Sequence, residues 1–228
     1  ALGTTFIRAR KRRNHTELLF KYLKIPIRVK SKKKFDLIEI KGLHQFNAFN
    51  YTIPGDISSS AFFIVLTLLS KNSKITIRNV NINESRIGLI KILKMMNCNI
   101  TLKNKKIYKG ERTADIFVKS TKILKPIKCP ASLNSSAIDE FLLIFLIAGV
   151  KAKGISTFKK LGELNKKESP RLKLGSKLLR QLGIRTKLTK DSIKIFGNPE
   201  LDLKKTIKIE KYFKDHRIFM TSVIAACI

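Results

Sequence analysis

The sequence predicts an α/β (α+β) protein built from pseudo-symmetric βαβαββ units, and two observations carry that prediction. Apolar residues alternate between helical and strand periods along the 228-residue chain. The same order of elements then recurs after roughly 75–85 residues, which is longer than a solenoid repeat and suits a whole α/β unit. A composition of 43% hydrophobic residues can build a core of that size, so wholesale disorder is excluded.

In the first full copy, SSSAFFIVLTLLS (58–70) reads as a buried helix and KITIRNV (74–80) as a strand. SRIGLIKILKMMN (85–97) reads as a second helix, followed by two short strands, CNITLK and KKIYKG. In the second copy, SSAIDEFLLIFLIAG (135–149) reads as one helix and GISTFKKL (154–161) as a strand. SPRLKLGSKLLRQLG (169–183) is the next helix, with Ser169 as N-cap and Pro170 in the first turn, and IRTKLT and DSIKIFG close the unit as strands. The junctions match as well, since Glu84-Ser85-Arg86 stands where Glu168-Ser169-Pro170-Arg171 stands.

The ends read as half units. TTFIRA, HTELLFKYLK, IPIRVK and FDLIEIKG give strand, helix, strand, strand, whereas DHRIFMTSVIAACI gives a lone helix that stops in an apolar run. The expectation is a piece of a longer protein. The full units span about 54–110 and 131–197, with a partial unit from about 205.

Composition narrows the function classes. The apolar runs FFIVLTLL and FLLIFLIAGV fall short of the roughly 20 residues that a membrane helix needs. No signal-like segment opens the sequence, which gives no support for export. The three cysteines (Cys98, Cys129, Cys227) are odd in number, widely spaced and distant from the three histidines, which argues against a zinc site or disulfide frame. A reducing compartment, the cytoplasm, fits that usage. The formal net charge of +32 is compatible with nucleic acid or with small anionic substrates, and RARKRR (8–13) is its densest run. Lysine is spread along the whole chain, however, and no zinc-finger, RNP or KH motif is present.

Three helix starts carry an arginine in or just before the first turn: Arg13 before the cap Asn14, Arg171, and Arg217 after the cap Asp215. A cation there opposes the helix dipole by roughly 0.3–1 kcal/mol, a cost that a bound anion on the same amides would offset. The plain alternative is a solvated arginine, which local sequence favours at any single site. Asp139, three residues after Ser136, has the spacing of a capping carboxylate, and Glu168 before a helix is equally ordinary.

Taken together, IPGDISSSAFFIVLTLL, RNHTELL, SSAIDEF, LGELNKKESPRL and DHRIFM resemble the 5-enolpyruvylshikimate-3-phosphate synthase family, in its order and over residues 3–228. The resemblance implies a two-domain enolpyruvyl transferase fold, incomplete here, each domain made of three βαβαββ units, with residues 1–53 the end of one domain (lobe) and 54–228 most of the second. It implies transfer of the enolpyruvyl group of phosphoenolpyruvate to the 5-hydroxyl of shikimate 3-phosphate, releasing phosphate, on the route to aromatic amino acids. No organic cofactor and no metal are implied, and the complete protein would be a monomer.

By motif, Asp139 matches the aspartate that handles the 5-hydroxyl proton, and Glu168 the glutamate that exchanges a proton with the phosphoenolpyruvate methylene. Arg171 and Arg217 match arginines that grip phosphoenolpyruvate; Arg13 and Lys167, with Asp139, match residues that hold shikimate 3-phosphate. The resemblance places the family's first glycine-rich loop and early catalytic lysine before residue 1, and a further substrate-binding lysine after residue 228. Two departures stand out: Pro170 replaces the usual aspartate, and Phe219 replaces an alanine, which is expected to crowd helix packing. A basic nucleic-acid-binding module and an inactive relative on the same fold are the alternative readings.

Overall fold

A computed structural model of the chain describes residues 2–10, 13–42, 44–201 and 214–228. Lys11 and Arg12 of the basic run, and the expected start of a partial unit near 205, lie outside the described residues. Among the described residues, three three-stranded antiparallel sheets share one topology. The first contains β1 (Thr4–Arg10), β2 (Ile27–Ser31) and β3 (Phe35–Lys41), with α1 (His15–Tyr22) between β1 and β2. Its order is β1-β3-β2, the third strand entering between the other two.

The second sheet repeats that order. α2 (Ile57–Leu69) leads to β4 (Lys74–Asn81), then α3 (Gly88–Met95), β5 (Asn99–Tyr108) and β6 (Glu111–Lys119), paired β4-β6-β5. After α4 (Asn134–Ala137) and α5 (Phe141–Val150), β7 (Gly154–Phe158), α6 (Arg171–Gln181), β8 (Thr186–Leu188) and β9 (Ile193–Gly197) give β7-β9-β8. α7 (His216–Ala226) follows. The strand expected to open each full unit is reduced to isolated parallel bridges, Gly55 to Val80, and Leu124 and Lys128 to Ala152 and Thr157.

Burial explains the helices. All ten residues of α5 are buried and α2 buries ten of its thirteen, as suits helices that are apolar on every side. α5 packs against α2, α6, α7 and β9 and so forms the centre of the core. α3 is amphipathic and turns Leu89, Ile90, Ile92 and Leu93 inward. Among the described residues, no single helix is long and apolar enough to cross a membrane.

Several sequence expectations are corrected. CNITLK and KKIYKG are not two strands but one, β5, because Asn104 takes φ 50° at an irregularity between Lys103 and Lys106 rather than making a turn. The hairpin turn is Lys109-Gly110, both with positive φ as a tight two-residue turn requires, and the partner strand is β6. The helix expected over 135–149 is broken at Ile138-Asp139-Glu140, and the chain bends by 118° there. The helix expected from Ser85 starts at Gly88, because the Asn83 side chain accepts from both the Ser85 N–H and Oγ and holds 83–86 as a turn.

Ser169 does not cap α6, which begins at Arg171 after Pro170, and its hydroxyl donates to Asp215 instead. Asn14 occupies the N-cap position of α1 without a capping bond; its Oδ1 accepts from Asn83 Nδ2. Phe219 is 55% exposed, so the expected crowding of helix packing does not occur.

Candidate functional site

The break between α4 and α5 creates the site. Its two acidic residues leave the helical path in different directions. Asp139 meets Arg13 from the β1–α1 connection, Lys167 Nζ at 3.4 Å and Arg171 Nη1 at 3.7 Å. Glu140, buried, accepts from Ser58 Oγ and lies 3.7 Å from Arg217 Nη1. The position of the break depends on a close approach. A Cβ on Gly88 would lie 2.5 Å from the backbone of Ser136, so α3 abuts α4 with no room for a side chain.

Arg217 reaches the same point from the N-terminus of α7, and its Nη1 donates to the Asp139 carbonyl at 2.9 Å. Asp215 caps that helix by accepting from the Arg217 N–H, as the sequence predicts. Below it, Arg171 is buried: Nε donates to Asp215 Oδ2 at 2.8 Å and Nη2 to Glu168 Oε2 at 2.5 Å. Four cations, Arg13, Lys167, Arg171 and Arg217, therefore face four carboxylates, Asp139, Glu140, Glu168 and Asp215.

Arg13, Asp139, Lys167, Glu168 and Arg217 line a single cleft of about 900 Å³. Arg171 lies beneath it rather than on its wall. Glu168, 59% exposed at the side chain, projects from the rim with Arg171 holding one oxygen. Asp139 does not cap a helix; Ser136 Oγ donates to the Leu133 carbonyl, and the aspartate takes the cations instead.

Burial works to raise the Asp139 pKa, but Arg217, Lys167 and Arg13 outweigh it and hold the carboxyl below its ordinary value. Its neighbour moves the other way. Burial, aided by the Asp139 charge, raises Glu140 despite the bond from Ser58 and the charge of Arg217. One carboxylate is thus kept ionised, and so able to accept a proton, beside another that resists ionisation.

The sequence reading missed Glu140, Ser58 and Arg86. Arg86 Nη2 donates to Ser58 Oγ at 2.7 Å and to Asp56 Oδ1 at 3.1 Å, extending the polar chain from Glu140 to the start of α2. A signal was available: a glutamate at the head of a wholly apolar helix requires a buried partner. Asp215 was visible as a cap but not as the partner of Arg171.

Known proteins resemble this chain over its whole length. The family model described as EPSP synthase (3-phosphoshikimate 1-carboxyvinyltransferase) matches residues 2–228. The 3-phosphoshikimate 1-carboxyvinyltransferase of Ruthia magnifica subsp. Calyptogena magnifica is 42% identical over 214 residues, 94% of this chain and 47% of that protein. That of Endomicrobium trichonymphae is 36% identical over 99% of this chain and 51% of its own length. A solved EPSP synthase from Acinetobacter baumannii superposes with a TM-score of 0.87 at 32% identity, over 100% of this chain and 51% of that one. The enolpyruvyl transferase NikO from Streptomyces tendae, at 15% identity and a TM-score of 0.67, shares the fold. The chain spans about half the length of the curated relatives it matches.

Proposed function

Because this chain belongs to the EPSP synthase (3-phosphoshikimate 1-carboxyvinyltransferase) family, we propose that the protein containing it transfers the enolpyruvyl group of phosphoenolpyruvate to the 5-hydroxyl of shikimate 3-phosphate. The observation that carries the reading is the convergence on Asp139 of cations from three separate segments: Arg13, Lys167 and Arg217. A site that concentrates so much positive charge around one ionised carboxylate suits two multiply charged anions and a proton to be moved between them.

In this reading, Lys167 and Arg13 exchange part of their pairing with Asp139 for the phosphate and hydroxyls of shikimate 3-phosphate. Arg217 takes the phosphoenolpyruvate phosphate or carboxylate. Arg171, anchored by Asp215, contributes its charge and the edge turned towards Asp139. Asp139, held ionised, accepts the 5-hydroxyl proton as that oxygen bonds to C2 of phosphoenolpyruvate, while Glu168 delivers a proton to the C3 methylene. The tetrahedral adduct then collapses: a C3 proton returns to Glu168, the C2–C3 double bond re-forms, the C2–O bond to phosphate breaks, and the departing phosphate takes up the proton held by Asp139. The protein is taken to act as a cytoplasmic monomer.

The test is Glu168→Gln in the full-length protein, which preserves shape and removes the proton. Turnover should fall by about 10²–10⁴-fold, with the Kd for shikimate 3-phosphate changed less than about twofold. Solvent deuterium should also stop entering the phosphoenolpyruvate methylene. Undiminished deuterium incorporation in Glu168→Gln would remove Glu168 from the role given to it.

A further inference from the structure

Glu111 is a buried carboxylate, 7% exposed at its side chain, that the reaction above does not use. It opens β6 immediately after the hairpin turn. Its Oε1 pairs with His15 Nδ1, and its Oε2 accepts from Asn83 Nδ2 at 3.1 Å. The same Asn83 nitrogen donates to Asn14 Oδ1 at 2.9 Å. The two residues that directly follow Arg13 are therefore both tied, one directly and one through Asn83, to a single carboxylate on another sheet.

The rest of the turn is docked just as firmly. Lys109 Nζ bonds the Asn50 carbonyl and lies 6.0, 5.6 and 5.5 Å from the ring centroids of Tyr22, Phe49 and Tyr108. Tyr108 Oη accepts from the Thr52 N–H at 3.0 Å. Gly110, at φ +88°, approaches α1 so closely that a Cβ would lie 2.7 Å from the Leu18 carbonyl oxygen. Residues 108–111 belong to the β4-β6-β5 sheet, yet they grip α1 and the crossover segment that follows the β1-β3-β2 sheet. The solvent-exposed side chain of Arg13 spans the same junction to reach Asp139.

We propose that Glu111 is a positioning residue for the reaction. By holding His15, and Asn14 through Asn83, it sets where the Arg13 guanidinium meets Asp139 and the sugar phosphate. The proposal rests on the role given above to Arg13 and deepens it. Glu111 itself touches no reacting atom.

Steady-state kinetics of the full-length protein carrying Glu111→Ala, Arg13→Ala and both together decide it. Glu111→Ala should raise the KM for shikimate 3-phosphate about tenfold, leaving kcat and the KM for phosphoenolpyruvate within about twofold. In the Arg13→Ala background the same change should add less than about twofold, because its effect runs through Arg13. Glu111→Gln, which keeps the volume and one acceptor, should show a smaller rise and serves if the alanine variant fails to fold. Equal rises in both KM values, or a full tenfold loss on top of Arg13→Ala, would overturn the proposal. If Arg13→Ala raises the KM for shikimate 3-phosphate and Glu111→Ala and Glu111→Gln do not, the proposal fails and the reading of Arg13 stands. If Arg13→Ala itself has no effect, both fall.

Discussion

Arg171 and Asp215 form a buried ion pair in which the arginine Nε donates to Oδ2 at 2.8 Å, with side-chain exposures of 2% and 0%. The pair recurs in an earlier unit, where Arg86 meets Asp56 at 3.1 Å. In both cases an arginine from an E-S-(P)-R junction reaches the aspartate that caps an apolar helix, α7 in one and α2 in the other. The two differ in surroundings: Asp56 is half exposed at its side chain, whereas Asp215 is fully enclosed.

That enclosure sets the first prediction. Asp215→Ala removes the partner of a buried guanidinium, the cap of α7 and the acceptor of Ser169 together. Breaking one side of a buried pair costs about 3–5 kcal/mol. Burial tends to raise the Asp215 pKa, but bonds from Arg171 and Ser169 and the Arg171 charge bring it below its ordinary value. A depressed folded pKa means stability present above the unfolded value, near pH 4, and lost as pH falls through the folded one. Urea titrations should therefore show wild type weakening below about pH 4, with Asp215→Ala less stable at neutral pH and less sensitive to acid over that range.

The elements legible in sequence were those whose own residues decide them. α2 and α5 are apolar on all sides, and Asp215 caps α7 from within its own segment. β6 was missed because Glu111, Arg112 and Asp115 interrupt its apolar alternation, and all three find partners only in the folded chain: Glu111 at His15 and Asn83, Arg112 at Glu84, Asp115 at Asn79 and Asn104. The break at Asp139 was illegible for a similar reason. Nothing in SSAIDEFLLIF forbids a continuous helix; the bend is fixed by Gly88 against Ser136 and by cations brought from more than 25 residues away. Family resemblance pointed to Asp139, Glu168 and the cations around them, but not to Glu140, buried next to Asp139, or to Glu111, buried against His15 and Asn83.

Gly88 gives a second prediction. A Cβ there would lie 2.5–2.6 Å from backbone atoms of Ser136 and Ala137, which no rotamer change can relieve. Overpacking of this kind costs about 1–3 kcal/mol and displaces whichever segment yields. Since α4 leads directly into Asp139, Gly88→Ala in the full-length protein should lower turnover beyond what its loss of stability explains at temperatures where it is fully folded. Wild-type turnover in a variant shown to be folded would mean that α3, not α4, gives way.

Arg217 gives a third. Its guanidinium bonds the Asp139 carbonyl and faces Glu140, so Arg217→Ala removes a charged donor from the cleft. A charged hydrogen bond contributes about 1.5–3 kcal/mol, or roughly ten- to hundredfold in affinity. The KM for phosphoenolpyruvate should rise by that factor, with a much smaller change for shikimate 3-phosphate. A larger effect on shikimate 3-phosphate would exchange the two subsites.

The last prediction concerns residues 1–228 produced alone. Transition-state stabilisation depends on a full set of donors around the transferring group, and such sets lose activity non-additively when members are absent. This segment spans about half the length of the relatives it matches. It also leaves Phe6 75% exposed on β1, and Phe219, Met220 and Val223 exposed along α7. Apolar faces of that kind recruit a partner or drive association. The purified segment should bind an apolar dye, form concentration-dependent oligomers and release no phosphate from the two substrates. Mixing it with a separately produced remainder of the protein should reduce dye binding and restore measurable phosphate release. Robust turnover by the segment alone would show that its own residues complete the site.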